Sequence, residues 1–282
     1  MIMKQKTTAI LLATYNGEKF LREQLDSLLQ QTYSDWTLYI HDDGSTDSTK
    51  EIIKEYEQKY ENITMLRYPS QKGAKNNFMS LLERVEANYY LFCDQDDVWR
   101  KDKVEKEMAR MMVLEKDFPG KPVLVFSDLY VVDINLNITE SSMWEKNNIR
   151  PELLTNFIEG GAFEFVTGCT MLFNKEARNT INFERIEMAT MHDAWITLCV
   201  LKSEGILSPV HEQLIYYRQH GSNSVGSSDW TEHGVVYKLL NIPTIIKRNY
   251  IHWKMLKALE YGSFFKYLKY KYLYRKRFYE SE

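Results

Sequence analysis

From Thr8 to Cys93 the chain alternates short apolar runs with amphipathic ones, and that alternation admits few folds. Thr8 to Ala13, Trp36 to Ile40, Ile63 to Tyr68 and Tyr89 to Cys93 read as strands. Between the first two, Phe20, Leu21, Leu25, Leu28 and Leu29 recur at helical spacing over Glu18 to Gln31. A second helix follows Ser48 and Glu51, which stand at capping-box spacing. A third covers Asn77 to Val85. Strands joined by helices in this way predict a mostly parallel sheet covered on both faces, an α/β fold. Ligands of such sheets bind beyond the carboxyl ends of the strands. Three polar turns fall there: Thr14-Tyr15-Asn16-Gly17, Asp42-Asp43-Gly44 and Asp94-Gln95-Asp96-Asp97.

The last turn carries the chemistry. Two carboxylates about 4 Å apart repel by roughly 4 kcal/mol at an effective dielectric of 20. Three of them closing a buried strand need an offset, and a divalent cation is the simplest. All-oxygen ligands suit Mg2+ or Mn2+ rather than zinc, and such ions are commonly shared with substrate phosphates. A solvated acidic turn is the other reading; the strand placement and the second acidic turn at Asp42-Asp43 favour the metal-bridged phosphate site.

Composition excludes other classes. The 282 residues carry a formal net charge of −3, which by itself argues neither for nor against nucleic acid; no nucleic-acid partner is expected. Cys93, Cys169 and Cys199 are few and far apart, as in a reduced cytosolic protein. The run Ala9 to Ala13 is short for a signal peptide, and no segment reaches the roughly 20 apolar residues of a membrane span. The second half is less regular, with strands expected at Val123 to Asp128, Phe163 to Phe173 and Leu214 to Arg218, a helix over Ala194 to Leu201, and helix from Thr231 onward.

A set of motifs in order narrows the reading. Ala13-Thr14-Tyr15-Asn16-Gly17-Glu18 is followed by Asp42-Asp43-Gly44-Ser45-Thr46-Asp47, by Lys72-Gly73 with Asn77, and by Asp94-Gln95-Asp96-Asp97. His192-Asp193 and Tyr217-Arg218-Gln219-His220-Gly221-Ser222-Asn223 complete it. Together they resemble family-2 glycosyltransferases of the GT-A fold. Asp97-Val98-Trp99 and Phe126-Ser127-Asp128-Leu129 are similar to the bacterial rhamnosyltransferase-like members, which build cell-wall, capsular or O-antigen polysaccharides. The resemblance implies a GT-A domain over residues 1–228. Its nucleotide-binding half would span about residues 1–100 and its acceptor-binding half about 101–228, with a helical extension over 229–282.

It also implies roles. The donor would be a dTDP- or UDP-linked sugar, with Mn2+ or Mg2+ neutralising the departing diphosphate. Asp96 is the first metal ligand; Asp94 shares the ion or sits nearer the ribose; His220 is a further ligand by family position; Asp97 caps the turn before Trp99. Asp43 would accept from the pyrimidine N3–H, with Thr14 and Tyr15 lining the base and Glu18 bonding the ribose. Glu18 also suits the first turn of a helix. Asp42 and Asp47 would organise their turn. Gly73 and Asn77 would shape the loop under the base, Lys72 would meet phosphate, and Arg218 would pair with the diphosphate. Asp193 is the candidate general base, with a helix N-cap as its alternative. His192 departs from the family pattern, which places an acid there. Gly160-Gly161 and Gly168-Cys169 would flank the acceptor, with Trp144, Trp195 and Trp230 as stacking platforms or core.

From Ile245 the chain is basic and aromatic, as in an interfacial membrane helix. The acceptor would be a glycan or lipid-linked glycan, and the protein cytoplasmic at the inner face of the membrane. A hairpin packed on the catalytic domain or on a second subunit fits the same composition. Two other classes share this sheet: a sugar nucleotidyltransferase, which would carry a Gly-rich loop where Thr14-Tyr15-Asn16-Gly17 stands, and a non-catalytic binding module, which would not need Asp96, Asp193 and His220 together.

Overall fold

The structure is a computed structural model that describes residues 7–163, 165–220 and 242–279. Its nine-stranded sheet runs β3-β2-β1-β4-β8-β6-β9-β5, with β7 paired to β6. The first four strands are β1 (Thr8–Thr14), β2 (Trp36–Asp42), β3 (Ile63–Met65) and β4 (Tyr89–Cys93). They are mutually parallel, with Thr14 opposite Asp42 and Leu12 opposite Cys93. Their carboxyl ends therefore share one edge. Between them lie α1 (Leu21–Leu29), α2 (Thr49–Lys59) and α3 (Ala74–Arg84). The sequence alternation is realised strand for strand.

Both faces of the sheet are dry. Along β1, Ile10 and Leu12 join one core while Ala9, Leu11 and Ala13 join the other; along β4, Tyr89 and Leu91 oppose Tyr90 and Phe92. That is why these strands read as continuous apolar runs. Helices α1 and α2 cover one face together with α4 (Lys103–Asp117). Helix α3 covers the other together with α8 (His192–Lys202).

The remaining strands are β5 (Val98–Trp99), β6 (Val123–Val132), β7 (Ile138–Glu140), β8 (Met171–Asn174) and β9 (Ile206–Arg218). Short helices α5 (Met143–Lys146), α6 (Phe157–Ala162) and α7 (Lys175–Asn179) intervene. Two expected strands are corrected. Only Met171–Asn174 of the Phe163 to Phe173 run is strand, antiparallel to both β4 and β6. Upstream of it, Gly168–Thr170 forms a 3-10 turn that carries Gly168 to the start of α8. Strand β9 starts at Ile206, eight residues before the expected Leu214, because it runs parallel to β6 over its whole length.

The capping of α2 also differs. The Ser48 side chain makes no cap hydrogen bond. Instead Asp47 Oδ1 accepts from Thr49 N at 3.1 Å, and Glu18 Oε2 accepts from Ser48 N at 2.9 Å.

Helices α9 (Ile242–Ala258) and α10 (Phe264–Tyr279) form a hairpin that packs on the flank of the sheet domain. Met255, Leu256, Leu259, Tyr261 and Tyr267 are buried in the core. Gly161 admits this packing: a Cβ there would stand 2.4 Å from the Tyr261 ring. Gly160 likewise lies against Leu201 and Leu154, so this glycine pair docks helices and does not flank the acceptor. Trp144 and Trp195 are core residues; Trp230, Ser222 and Asn223 lie outside the described residues.

Candidate active site

The carboxyl edge of β1, β2 and β4 opens into a cavity of about 860 Å3. One half is lined by Thr14, Tyr15, Asp43, Lys72, Asn77, Asp94, Gln95 and Asp96, the other by residues of the 143–194 region, including Asp193. Most of the residues singled out by sequence thus meet in one space.

The first wall is held by hydrogen bonds among its own turns. Gln95, which sequence reasoning quoted without a role, clasps the end of β1. Its Oε1 accepts from Thr14 Oγ1 at 2.7 Å and Tyr15 N at 2.9 Å, and its Nε2 donates to the Tyr15 carbonyl. A Cβ on Gly17 would stand 2.4 Å from Gln95 Oε1, so a side chain there would displace this clasp. Tyr15 itself is more than half exposed at the mouth.

Asp43 organises the loop before α3. Its Oδ1 accepts from Ser70 Oγ (2.6 Å), Gln71 N (2.6 Å) and Lys72 N (3.0 Å), and Oδ2 accepts from Gly73 N (2.6 Å). Burial alone would raise this carboxyl, but the donors from Gly73, Ser70, Lys72 and Gln71 together hold it below the ordinary carboxylate range. Only Oδ2 keeps a free lone pair for a base. Lys72 and Gly73 both take positive φ to close the loop. Asn77 is buried and clamps His41: its Nδ2 donates to the His41 carbonyl and its Oδ1 meets His41 Nδ1 at 2.8 Å. The His41 ring stacks on Tyr68 at 3.7 Å. Asn77 therefore braces the pocket floor.

The acidic turn divides by depth. Asp96 and His220 meet, with Oδ2 and Nε2 2.8 Å apart, and Asp96 lines the cavity. Asp94 also faces the cavity; burial, with the neighbouring Asp96 and Asp193 charges, pushes its pKa up to about 7. Asp97 is fully buried, accepts from Arg218 N at 3.1 Å, and is pushed well above its usual range by burial and by Asp96 and Asp94. Asp94, Asp97 and Cys169 place ligand atoms within 4.8 Å of one another. A soft thiol and an inaccessible carboxylate do not suit a hard ion shared with substrate. Asp96, Asp94 and His220 have the right donor types, but among the described residues they do not gather their ligand atoms within 4.8 Å of one another, and His220 reaches the cavity only through its contact with Asp96.

Two site expectations are corrected. Arg218 does not reach the cavity. Its guanidinium is buried, donates to the carbonyls of Asp96 (2.9 Å) and Ile134 (2.6 Å), pairs with Glu23, and lies 4.6 Å from the Phe20 ring centroid. It fastens the acidic turn to the sheet. Glu18 is spent on the backbone of Ser48 and does not line the cavity either. In both cases the carboxyl or guanidinium satisfies loop backbone that would otherwise be unpaired.

Across the cavity, Asp193 stands in the first turn of α8, where the N-cap residue is Met191. Its Oδ2 accepts from Gly168 N at 3.1 Å and its Oδ1 from Ala194 N at 2.7 Å. The two bonds orient the carboxylate, and Asp193 lines the cavity. The sum is one cavity lined by the turns after β1, β2 and β4 and by the start of α8, with the carboxylates Asp94, Asp96 and Asp193 among its lining.

Comparison with known proteins agrees. The family model described as glycosyl transferase family 2 matches residues 9–181. The putative teichuronic acid biosynthesis glycosyltransferase TuaG of Bacillus subtilis is 27% identical, over 79% of this chain and 82% of its own. The dTDP-rhamnosyl transferase RfbG of Shigella flexneri is 27% identical, over 77% of this chain and 74% of its own. Among solved structures, S. aureus TarS 1-349 in complex with UDP superposes with a TM-score of 0.58 at 16% identity, over 96% of this chain and 91% of that one. The fold is GT-A.

Proposed function

Because the chain belongs to glycosyltransferase family 2, we propose that it moves a sugar, with inversion, from a nucleoside diphosphate to an acceptor hydroxyl in bacterial polysaccharide synthesis. One observation carries this reading: Asp94 and Asp96 face Asp193 across a single cavity. The names of TuaG and RfbG support a cell-surface polysaccharide, and RfbG supports dTDP-rhamnose as donor. The UDP and UDP-GlcNAc complexes of TarS keep UDP-linked sugars in play.

Asp43 Oδ2, Thr14 and Tyr15 receive the base, Asn77 braces them, and Lys72 meets phosphate. Asp96, Asp94 and His220 would hold Mn2+ or Mg2+, which when bound neutralises charge developing on the diphosphate. A mannosyltransferase of the same fold, PcManGT from Pyrobaculum calidifontis, was solved with GDP-Man and Mn2+. Asp193 takes the proton of the acceptor hydroxyl as its oxygen bonds to the sugar's anomeric carbon and the bond to diphosphate breaks. Such a base contributes typically 10²–10⁴-fold.

The C-terminal hairpin supports contact with a membrane that carries a lipid-linked acceptor. Phe265 is 83% exposed and Tyr272 69%, with Ile246, Tyr250, Ile251, Leu268 and Leu273 also open to solvent. Lysines and arginines alternate with them, and the one acid among residues 242–273, Glu260, is turned to Lys202. No described helix is long and apolar enough to cross a membrane.

Titration with UDP, dTDP and GDP, with and without Mn2+, tests the reading. A metal-dependent gain in affinity is expected, and Asp193→Asn should keep that gain while losing at least 100-fold in turnover. Metal-independent binding, or an Asn variant of normal rate, overturns it.

A further inference from the structure

Asp193 is framed by two backbone segments, and the C-terminal hairpin grips both. The first is the turn that leads into α8. Thr190 donates its N–H and its hydroxyl to Met255 Sδ of α9, each at 3.3 Å. Earlier in the same turn, Arg185 donates to the Ala258 carbonyl at 3.0 Å. Lys75 of α3 donates to the Ala189 carbonyl at 2.9 Å, so α3 and the hairpin hold the turn together.

The second segment runs from α6 to Gly168, whose N–H donates to Asp193 Oδ2. The hairpin holds it through α6. His252 Nε2 lies 2.7 Å from the Gly161 carbonyl, one of those that a helix end leaves unpaired. A carbonyl only accepts, so that ring nitrogen carries the proton. Tyr261 Oη donates to the Ile158 carbonyl at 2.7 Å, and its ring meets Phe157 edge-on at 5.5 Å. Farther along, Phe165 and Val166 line the cavity and share one core with Met255 and Tyr261.

Apolar burial alone would fix the hairpin on the domain. Met255 and Tyr261 are fully buried, and leucine and phenylalanine would serve that purpose. Their sulfur and hydroxyl are instead spent on backbone that frames the base. His252, Met255 and Tyr261 do not themselves line the cavity.

We propose that the hairpin seats the candidate base: Met255, His252 and Tyr261 are positioning residues that fix the two segments framing Asp193, so they govern transfer without touching the donor. The proposal rests on the sugar-transfer reading above and gives the C-terminal helices a part in the reaction itself. Misplacing a reacting group by about 1 Å can cost on the order of 100-fold in rate. Removing one bond of several should cost less, about tenfold.

The test uses the full chain with UDP and Mg2+. Amide hydrogen exchange reads the frame and calorimetry reads UDP affinity. Release of nucleoside diphosphate from UDP-GlcNAc or dTDP-rhamnose, with water as acceptor, reads turnover. In Tyr261→Phe and in Met255→Leu, exchange at Gly168 and Ala194, the two amides bonded to Asp193, should quicken about fivefold while the β1 and β4 amides keep their rates. In both variants kcat should fall about tenfold, with donor KM and UDP affinity within about twofold of the unmodified protein. Met255→Gln, whose side-chain oxygen can accept from Thr190, should recover most of the loss. Tyr267→Phe is the matched control. Tyr267 is as deeply buried, but its hydroxyl donates to Asn249 of the hairpin itself at 2.9 Å, so exchange at Gly168 and Ala194 should not change. Unchanged exchange at those amides in both Tyr261→Phe and Met255→Leu, equal quickening in Tyr267→Phe, or quickening spread evenly through the sheet would each overturn the proposal. Absence of metal-dependent UDP binding by the unmodified protein would instead remove the reading beneath it.

Discussion

Replacing Arg218 separates a structural arginine from a donor-binding one. In Arg218→Met the two charge-assisted bonds to the Asp96 and Ile134 carbonyls disappear, each worth about 1.5–3 kcal/mol. The pair with Glu23 adds little, since Glu23 is half exposed and water screens it. Recovered desolvation of the guanidinium and the buried Met side chain offset part of the loss. The net cost is about 3 kcal/mol, with Tm falling by roughly 6–10 °C in a domain of this size. Urea unfolding measures the first and a thermal scan the second. Because Arg218 holds the Asp96 carbonyl, Mn2+-dependent UDP affinity should drop as well. A variant of unchanged stability that still loses UDP would refute the reasoning, since that pattern belongs to a guanidinium that touches the diphosphate.

Three further outcomes follow from single contacts. Asp43→Asn removes an acceptor from the 70–73 loop and sets amide donors against its N–H groups; UDP affinity should fall at least tenfold, and hydrogen exchange at Gln71 to Gly73 should quicken. His192 has a folded pKa of about 3, below its ordinary 6.5, so it stabilises fully above pH 6.5 and that contribution is lost as pH falls toward 3. Between pH 7.5 and 4.5 the unmodified protein should therefore lose about 2.5 kcal/mol more than His192→Phe, read from paired urea curves. On the C-terminal hairpin, Lys266→Glu with Lys269→Glu should weaken flotation on phosphatidylserine vesicles at least fivefold per charge reversed, while Phe265→Ser should weaken it on neutral vesicles too; unchanged flotation would leave the hairpin as domain packing alone.

What the sequence could convey depended on how local the cause was. Strands β1 and β4 are buried on both faces, so each announces itself as an unbroken apolar run, and their polar carboxyl ends mark the rim without tertiary information. The β6 and β9 pairing joins residues 123–132 to 206–218, and nothing within either segment encodes the partner that extends β9 back to Ile206. The aromatic tail defeats periodicity for another reason. With an aromatic or aliphatic residue at almost every step, Tyr261 and Tyr267, which are buried, cannot be told from Phe265 and Tyr272, which are not.

At the site the ambiguity is chemical. Glu18, Asp43, Asp96, Asp97 and Arg218 are the residue types a phosphate, a ribose or a metal would need, and they are equally the types that satisfy loop backbone. Sequence assigns Asp43, Asp96 and Arg218 to ligand, leaves Glu18 between ribose and helix turn, and gives Asp97 to its own turn. Geometry shows where each charge is spent: Glu18 on Ser48 N, Arg218 on two carbonyls, Asp97 on Arg218 N, and Asp43 on four donors of one loop. The carboxylates that line the cavity beyond that loop are Asp94, Asp96 and Asp193, near enough that the last two raise the pKa of the first. A rim whose other charges are already committed to its own turns can hold those three close together without collapsing them onto neighbouring cations. On the proposed reading, the incoming cation and the acceptor hydroxyl are the groups that would complete it.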